Sequence, residues 1–188
     1  MALEDVVLLG DPRLRKVSRQ AVAGEPAVSS TGDTLKDTLH QFRARHGFGR
    51  AIAAPQIGAS LRLLACHLEQ GPLRQDETFL MLNPEIIWRS RETFTLWDDC
   101  LSFPDLLVRV SRHRSISVRY TVETGDQIVA EQLDTATAEL LQHEIDHLDG
   151  RLAVDRALDR ESLVSRTVWE ANPERFAKLV DRVTETQE

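Results

Sequence analysis

Residues 134–150, DTATAELLQHEIDHLDG, read as one helix with a start, a body and a stop. Asp134 is a residue type that caps helix N-termini, the next fourteen positions contain neither Gly nor Pro, and Asp149-Gly150 supplies a C-terminal stop. Leu141, Ile145 and Leu148 fall on one apolar face, whereas Leu140, His143, Glu144 and His147 fall largely on another. Side chains at i and i+4 lie one turn apart on the same helix face. The imidazoles of His143 and His147 can therefore converge on one cation, with the Glu144 carboxylate beside the first of them. This stretch predicts a packed helix that points two ligands and a base at a site, and the rest of the fold is expected to be built around it.

A hydrolytic metal centre of this kind uses three protein ligands and keeps one position open for water, so a third donor is required. The remaining histidines are His40, His46, His67 and His113, and the only cysteines are Cys66 and Cys100. Cys66 lies in LRLLACHL (61–68), a run that reads as a buried strand in which a cysteine packs as a small hydrophobe. Cys100 lies in WDDCLSFP (97–104), a polar-flanked segment between strand-like runs, the kind of place where loops carry function. Pattern alone leaves Cys100 open between ligand and ordinary loop residue.

Upstream, Leu35, Leu39 and Phe42 recur at helical spacing within 33–46 and stop at Gly47. Strand-like runs follow at 61–68, 78–88 and 91–97. Ile116, Val118, Tyr120 and Val122 alternate with polar residues, and Thr124-Gly125-Asp126 turns the chain into 127–133 as a hairpin. Strands first and then the metal helix read as an α+β fold, with mainly antiparallel β-sheets packed around a central metal-binding helix. Residues 159–188 read as a helical C-terminal extension, with helices at 162–170 and 173–184. Trp169, Phe176, Leu179 and Val180 are available there as scaffold or, second to that, as a dimer contact.

With 188 residues the chain is expected to form a single domain, 1–188, large enough to bury roughly 70% of its unfolded surface. Two cysteines argue against a disulfide framework and for a reducing compartment. The N-terminus lacks a basic-then-apolar export layout and no apolar run is long enough to span a bilayer, so a cytoplasmic location without membrane attachment is expected. A net charge of −7, from 23 basic and 30 acidic residues, opposes an extended phosphate-binding surface, and direct nucleic acid binding is not expected.

Three stretches in order resemble the signature motifs of the peptide deformylases: GRAIAAPQIG (49–58), Cys100-Leu101-Ser102 behind an acidic residue, and QHEIDHLDG (142–150). The opening GDPRLR (10–15) is also similar to the start of those proteins, so the resemblance spans about 5–158. It implies a metal held by Cys100, His143 and His147, and Glu144 as the base that takes the water proton and later returns it to the leaving amine. It further implies Gln56 and the Leu101 N–H as donors to the formyl oxygen. Gly49, Ala51, Ile52, Asp99 and Glu139 are then the expected substrate-binding positions. The implied reaction is removal of the formyl group from the N-terminal formyl-methionine of a peptide or nascent chain, a step of N-terminal processing in protein biosynthesis. The implied ion is iron(II), although one thiolate and two imidazoles also suit zinc, nickel or cobalt. A monomer or a homodimer would serve.

The chain departs from the family pattern at several points. Ala51 and Asp99 stand where glycines are usual, the second directly before the ligand cysteine. Glu139, one turn before His143, stands where an apolar residue usually lines the methionine pocket, unless it is simply a surface charge. Asp98 replaces a usual Glu, with Arg112 as its expected partner, and Asp146 is expected to bond a neighbouring backbone group or an Arg. Three other readings compete. One is an amidohydrolase for a different N-formyl or N-acyl compound, with Asp99 and Glu139 recognising a cationic or polar group. The others are a catalytically silent metal-binding module, which would need neither Gln56 nor Glu144, and a zincin-type peptidase, to which an upstream thiolate ligand is foreign.

Overall fold

The computed structural model describes residues 6–47 and 49–181. Among them eight strands form two antiparallel sheets. β1 (Ala51–Ala53), β2 (Leu63–Cys66), β3 (Phe79–Arg89), β6 (Ile116–Thr121) and β7 (Gln127–Ala130) make a five-stranded sheet in the order β1-β2-β3-β6-β7. β4 (Thr93–Asp98), β5 (Leu106–His113) and β8 (Leu163–Ser165) make a three-stranded sheet in the order β4-β5-β8.

The larger sheet is covered on both faces, which is why β2 and the first half of β3 are continuous apolar runs. Leu64 and Cys66 of β2 and Phe79 and Met81 of β3 face helix α2 (Thr135–Leu148), joined by Ile116, Val118 and Tyr120 of β6. The alternate residues, Leu63, Ala65, Leu80 and Leu82, face helix α1 (Pro26–His46) through Val28, Leu35 and Leu39. Gly32 lets α1 approach, since a Cβ there would lie 2.4 Å from Leu80 Cδ1. The smaller sheet has its own core of Phe94, Leu96, Val108 and Val110, closed by Val7, Leu14, Phe103 and Leu152.

α2 touches both sheets and is buried from Thr137 through Leu148. Its boundaries follow the sequence reading: Asp134 accepts a 2.8 Å hydrogen bond from Thr137 N, and Gly150 follows the last turn at φ 70°. A side chain at Gly150 would in addition meet the Arg15 carbonyl oxygen at 2.6 Å. Gln142 ties the helix to the end of β5 by accepting from His113 N and donating to His113 O, both at 2.9 Å. Cys66 is a buried core residue, as expected, and burial pushes its thiol pKa up.

Three expectations need correction. α1 begins at Pro26 rather than at 33, because Pro at the first turn and the buried Val28 and Gly32 extend it past a Ser- and Thr-rich start. Residues 106–113 form a strand that the sequence reading left out. The C-terminal extension is only partly helical: 163–165 form β8 on the free edge of β5, followed by α3 (Arg166–Glu170) and α4 (Pro173–Ala177). An open edge recruits a short segment more strongly than its own helix propensity holds it. The expected helix over 173–184 ends at Ala177, and its last three residues lie outside the described ones. Trp169 and Phe176 pack on Trp97 and Leu107 and so serve the scaffold, whereas Leu179 is largely exposed.

Candidate metal centre

β4 delivers Cys100 two residues past its end, and α2 delivers His143 and His147 from one face. Cys100 Sγ lies 3.3 Å from His147 Nε2, which lies 3.2 Å from His143 Nε2. The three ligand atoms are all within 4.8 Å of one another, and all three residues are buried. Among the described residues this is the one group of three or more His, Cys, Asp or Glu side chains placed to share an ion.

The donor set fits a divalent cation. His143 Nδ1 lies 3.0 Å from Asp98 Oδ1, too poorly aligned for a full hydrogen bond but close enough to favour the proton on Nδ1 and turn Nε2 toward His147 and Cys100. Two imidazole nitrogens and a sulfur that face one another out of water are poor partners for each other and good partners for a metal. Burial would lower the His143 pKa, but the Asp98 carboxylate outweighs it and holds the ring basic. His147 lies well below the ordinary histidine value, first because it is buried and then because a second proton on the neighbouring His143 ring would place a like charge beside it.

A chain of ion pairs stands behind His143. Arg112, 2% exposed, donates from Nη2 to Asp98 Oδ2 at 2.9 Å and from Nη1 to Asp146 Oδ2 at 2.5 Å. Arg156 grips both oxygens of Asp146, also at 2.5 Å. Burial works against ionisation of Asp98 and Asp146, yet His143 and Arg112 hold the first carboxyl, and Arg156 and Arg112 the second, below the usual range. The expected Asp98–Arg112 pairing is present, and Asp146 finds Arg partners. Arg156 was not anticipated and carries no local signal.

Glu144 is buried next to the ligands, and its Oε2 has no hydrogen-bond partner among the described residues. Burial, only partly offset by the charges of His143 and Arg50, raises its pKa to about 7. Gln56 sits in a 3-10 turn (Ala54–Ile57), where its Oε1 accepts from Ala53 N at 2.9 Å. Its Nε2 is thereby turned toward Cys100 Sγ at 3.5 Å and Ser102 Oγ at 3.4 Å. Ser102 N also points at the sulfur from 3.4 Å, a contact the sequence reading missed. Leu101 follows the cysteine and is half-buried.

The expected substrate-binding positions divide. Ala51 packs in the core on the α2 side, while the Ile52 side chain packs in the core on the α1 side. Gly49, at φ 122°, has its carbonyl held by Arg43 at 2.8 Å. Glu139 is not a surface charge. It is 4% exposed and pairs at 2.5 Å with Arg50 Nη2, while Arg50 Nη1 donates to Ala136 O at 3.0 Å. Asp99 pairs with Arg166 at 3.0 Å. Both acids already have a guanidinium partner.

The fold and the site together define a metal-dependent amide hydrolase. The family model for polypeptide deformylase matches residues 3–162. The peptide deformylase of Bartonella tribocorum is 37% identical over 156 residues, 82% of this chain and 84% of that one. That of Thermotoga neapolitana is 34% identical over 161 residues, 86% of this chain and 91% of that one. The crystal structure of the Thermotoga maritima peptide deformylase superposes with a TM-score of 0.70 at 30% identity, covering 82% of this chain and 97% of that one. The Legionella pneumophila structure gives 0.69 at 30% identity, with 93% and 95% covered. The chain belongs to the peptide deformylase family. Peptide deformylases remove the N-formyl group from the N-terminal formyl-methionine of nascent peptides and depend on a divalent metal.

Proposed function

We propose that this chain hydrolyses the formyl amide of N-formylmethionyl peptides, with Cys100, His143 and His147 holding an iron(II) ion. The observation that carries the reading is the convergence of those three ligand atoms beside Glu144 and Gln56. When bound, the ion supplies Lewis acidity that makes a nearby water easier to deprotonate at neutral pH. Glu144 takes the proton of the water that adds to the formyl carbon and passes it to the peptide nitrogen as the C–N bond breaks, releasing formate and a free amine. Gln56 Nε2 and the Leu101 N–H donate to the formyl oxygen as negative charge builds there. Asp98 and Arg112 keep His143 in one orientation and tautomer. The working unit is one catalytic domain in the cytoplasm. Among the described residues no helix is long and apolar enough to cross a membrane.

The Arg50–Glu139 pair gives the substrate-facing end of α2 a polar wall, and methionine would rest against it. The metal-loaded protein is expected to release formate from a formylmethionyl peptide faster than from formyl amines with cationic side chains. Failure to release formate from the peptide, with turnover of another N-acyl compound, would overturn the reading. The double substitution Arg50→Val with Glu139→Ile is expected to lower KM for the formylmethionyl peptide several-fold, since each methylene newly buried contributes about 0.8 kcal/mol. Arg50→Val alone should melt at a lower temperature than the double variant, because it takes the guanidinium from a carboxylate that is 4% exposed. An unchanged KM in the double variant would remove the pair from the substrate wall.

A further inference from the structure

The segment past residue 162 lies beyond the stretch matched by the family model, yet it holds the loop that carries the thiolate. β8 runs along β5 with Leu106 opposite Ser165 and Leu107 opposite Val164. Arg166, the next residue, donates from its backbone N to Asp105 O at 2.8 Å, from Nε to Pro104 O at 2.6 Å and from Nη2 to Asp99 Oδ2 at 3.0 Å. One residue thus bonds both ends of the turn between β4 and β5, with Asp99 directly before Cys100. The Arg166 side chain is 22% exposed and that of Asp99 46%, so the guanidinium is the shielded end of the pair. Behind the turn, Trp97 Nε1 donates to Phe176 O at 2.9 Å, and the two rings meet edge to face at 5.4 Å.

Asp99 is therefore more than a lost glycine. The non-glycine residues at positive φ are Asn83 and Gln132 among those described, so Asp99 sits in ordinary backbone where glycine's freedom is not required. Arg166 holds the Asp99 carboxylate and, through the same guanidinium, pins the far end of the turn.

We propose that Arg166 is a positioning residue for the thiolate arm of the metal centre, setting the pose of 99–105 that aims Cys100 Sγ and the Leu101 N–H at the site. This rests on the assignment of Cys100 as a ligand. The C-terminal segment is then working support for the reaction, and not a passive extension.

The test compares wild type, Arg166→Ala, Arg166→Lys, Asp99→Gly and the Arg166→Ala/Asp99→Gly double variant. Three readouts are followed: amide hydrogen exchange over 99–105 in the metal-free protein, the thiolate-to-metal charge-transfer band and release rate of bound Co2+, and kcat with KM. Arg166→Ala is expected to speed exchange in 99–105 selectively and to release Co2+ about ten-fold faster, by analogy with other residues that orient ligands. It should lower kcat with KM unchanged, and in the Asp99→Gly background it should add less than in wild type. Arg166→Lys keeps the charge without the forked donors and should fall between; it carries the test if the alanine variant does not fold. A band, release rate and exchange pattern that neither Arg166 substitution alters overturn the proposal, as do effects that add fully with Asp99→Gly. A wild-type Co2+ protein without the charge-transfer band overturns the Cys100 assignment and this proposal together.

Discussion

Glu144→Gln is expected to lower kcat for formate release by about 10²–10⁴-fold while the bound metal stays at wild-type stoichiometry. The substitution keeps the volume of a side chain that is buried beside the ligands, so the surroundings need not repack. What it removes is an oxygen able to accept a proton from water and release it to the amine. Glu144 Oε2 stands buried and without a hydrogen-bond partner among the described residues, an arrangement retained where a group must be ready to take a proton. Metal retention follows from the proposed assignment, in which Cys100, His143 and His147 hold the ion without it. Formate release together with metal analysis of the purified variant checks both halves. Activity within a few-fold of wild type would assign the proton transfer elsewhere and favour the silent-module reading of this carboxylate.

Arg112→Leu is expected to cost about 3–5 kcal/mol of stability, a magnitude seen when one partner of a buried ion pair is removed. Arg112 is 2% exposed and answers two carboxylates, Asp98 and Asp146, both almost as deeply buried. Arg156 still covers Asp146 after the change, but Asp98 keeps only the His143 ring. That ring belongs to the candidate metal site, so metal affinity should also fall about 10–100-fold. Denaturant unfolding, with an unchanged m-value and a lowered midpoint, and competition with a chelator measure the two effects. The Arg13–Asp11 pair is a control: with side chains 55% and 29% exposed, removing Asp11 should lower the unfolding midpoint far less. An Arg112 variant no less stable than the Asp11 control would mean that the ion-pair chain does not support the centre.

What the sequence disclosed follows the range of the forces involved. α2 was legible to the residue because its cap, its freedom from Gly and Pro and its stop are local facts, and the i,i+4 histidines come with it. β2 and β3 were legible as apolar runs because both faces of their sheet are covered. β5 was not, since Arg112, a buried charge, interrupts the alternation of Val108 and Val110 that would have marked it. β8 owes its form to a partner edge more than fifty residues upstream, which no local pattern reports. The same holds within the site. Cys100, His143 and His147 could be named from motifs, and Arg112 from its nearness to Asp98. The guanidiniums that answer Asp146, Glu139 and Asp99 could not all be found, because Arg50 and Arg166 lie 89 and 67 residues along the chain from their acids.

X-ray absorption at the metal edge of the zinc-substituted protein addresses the central claim most directly. One sulfur at about 2.3 Å, two imidazole nitrogens at about 2.0–2.1 Å and one light oxygen donor are expected, with the sulfur lost in Cys100→Ser. A first shell without sulfur, or one closed by a fourth protein donor, would contradict it.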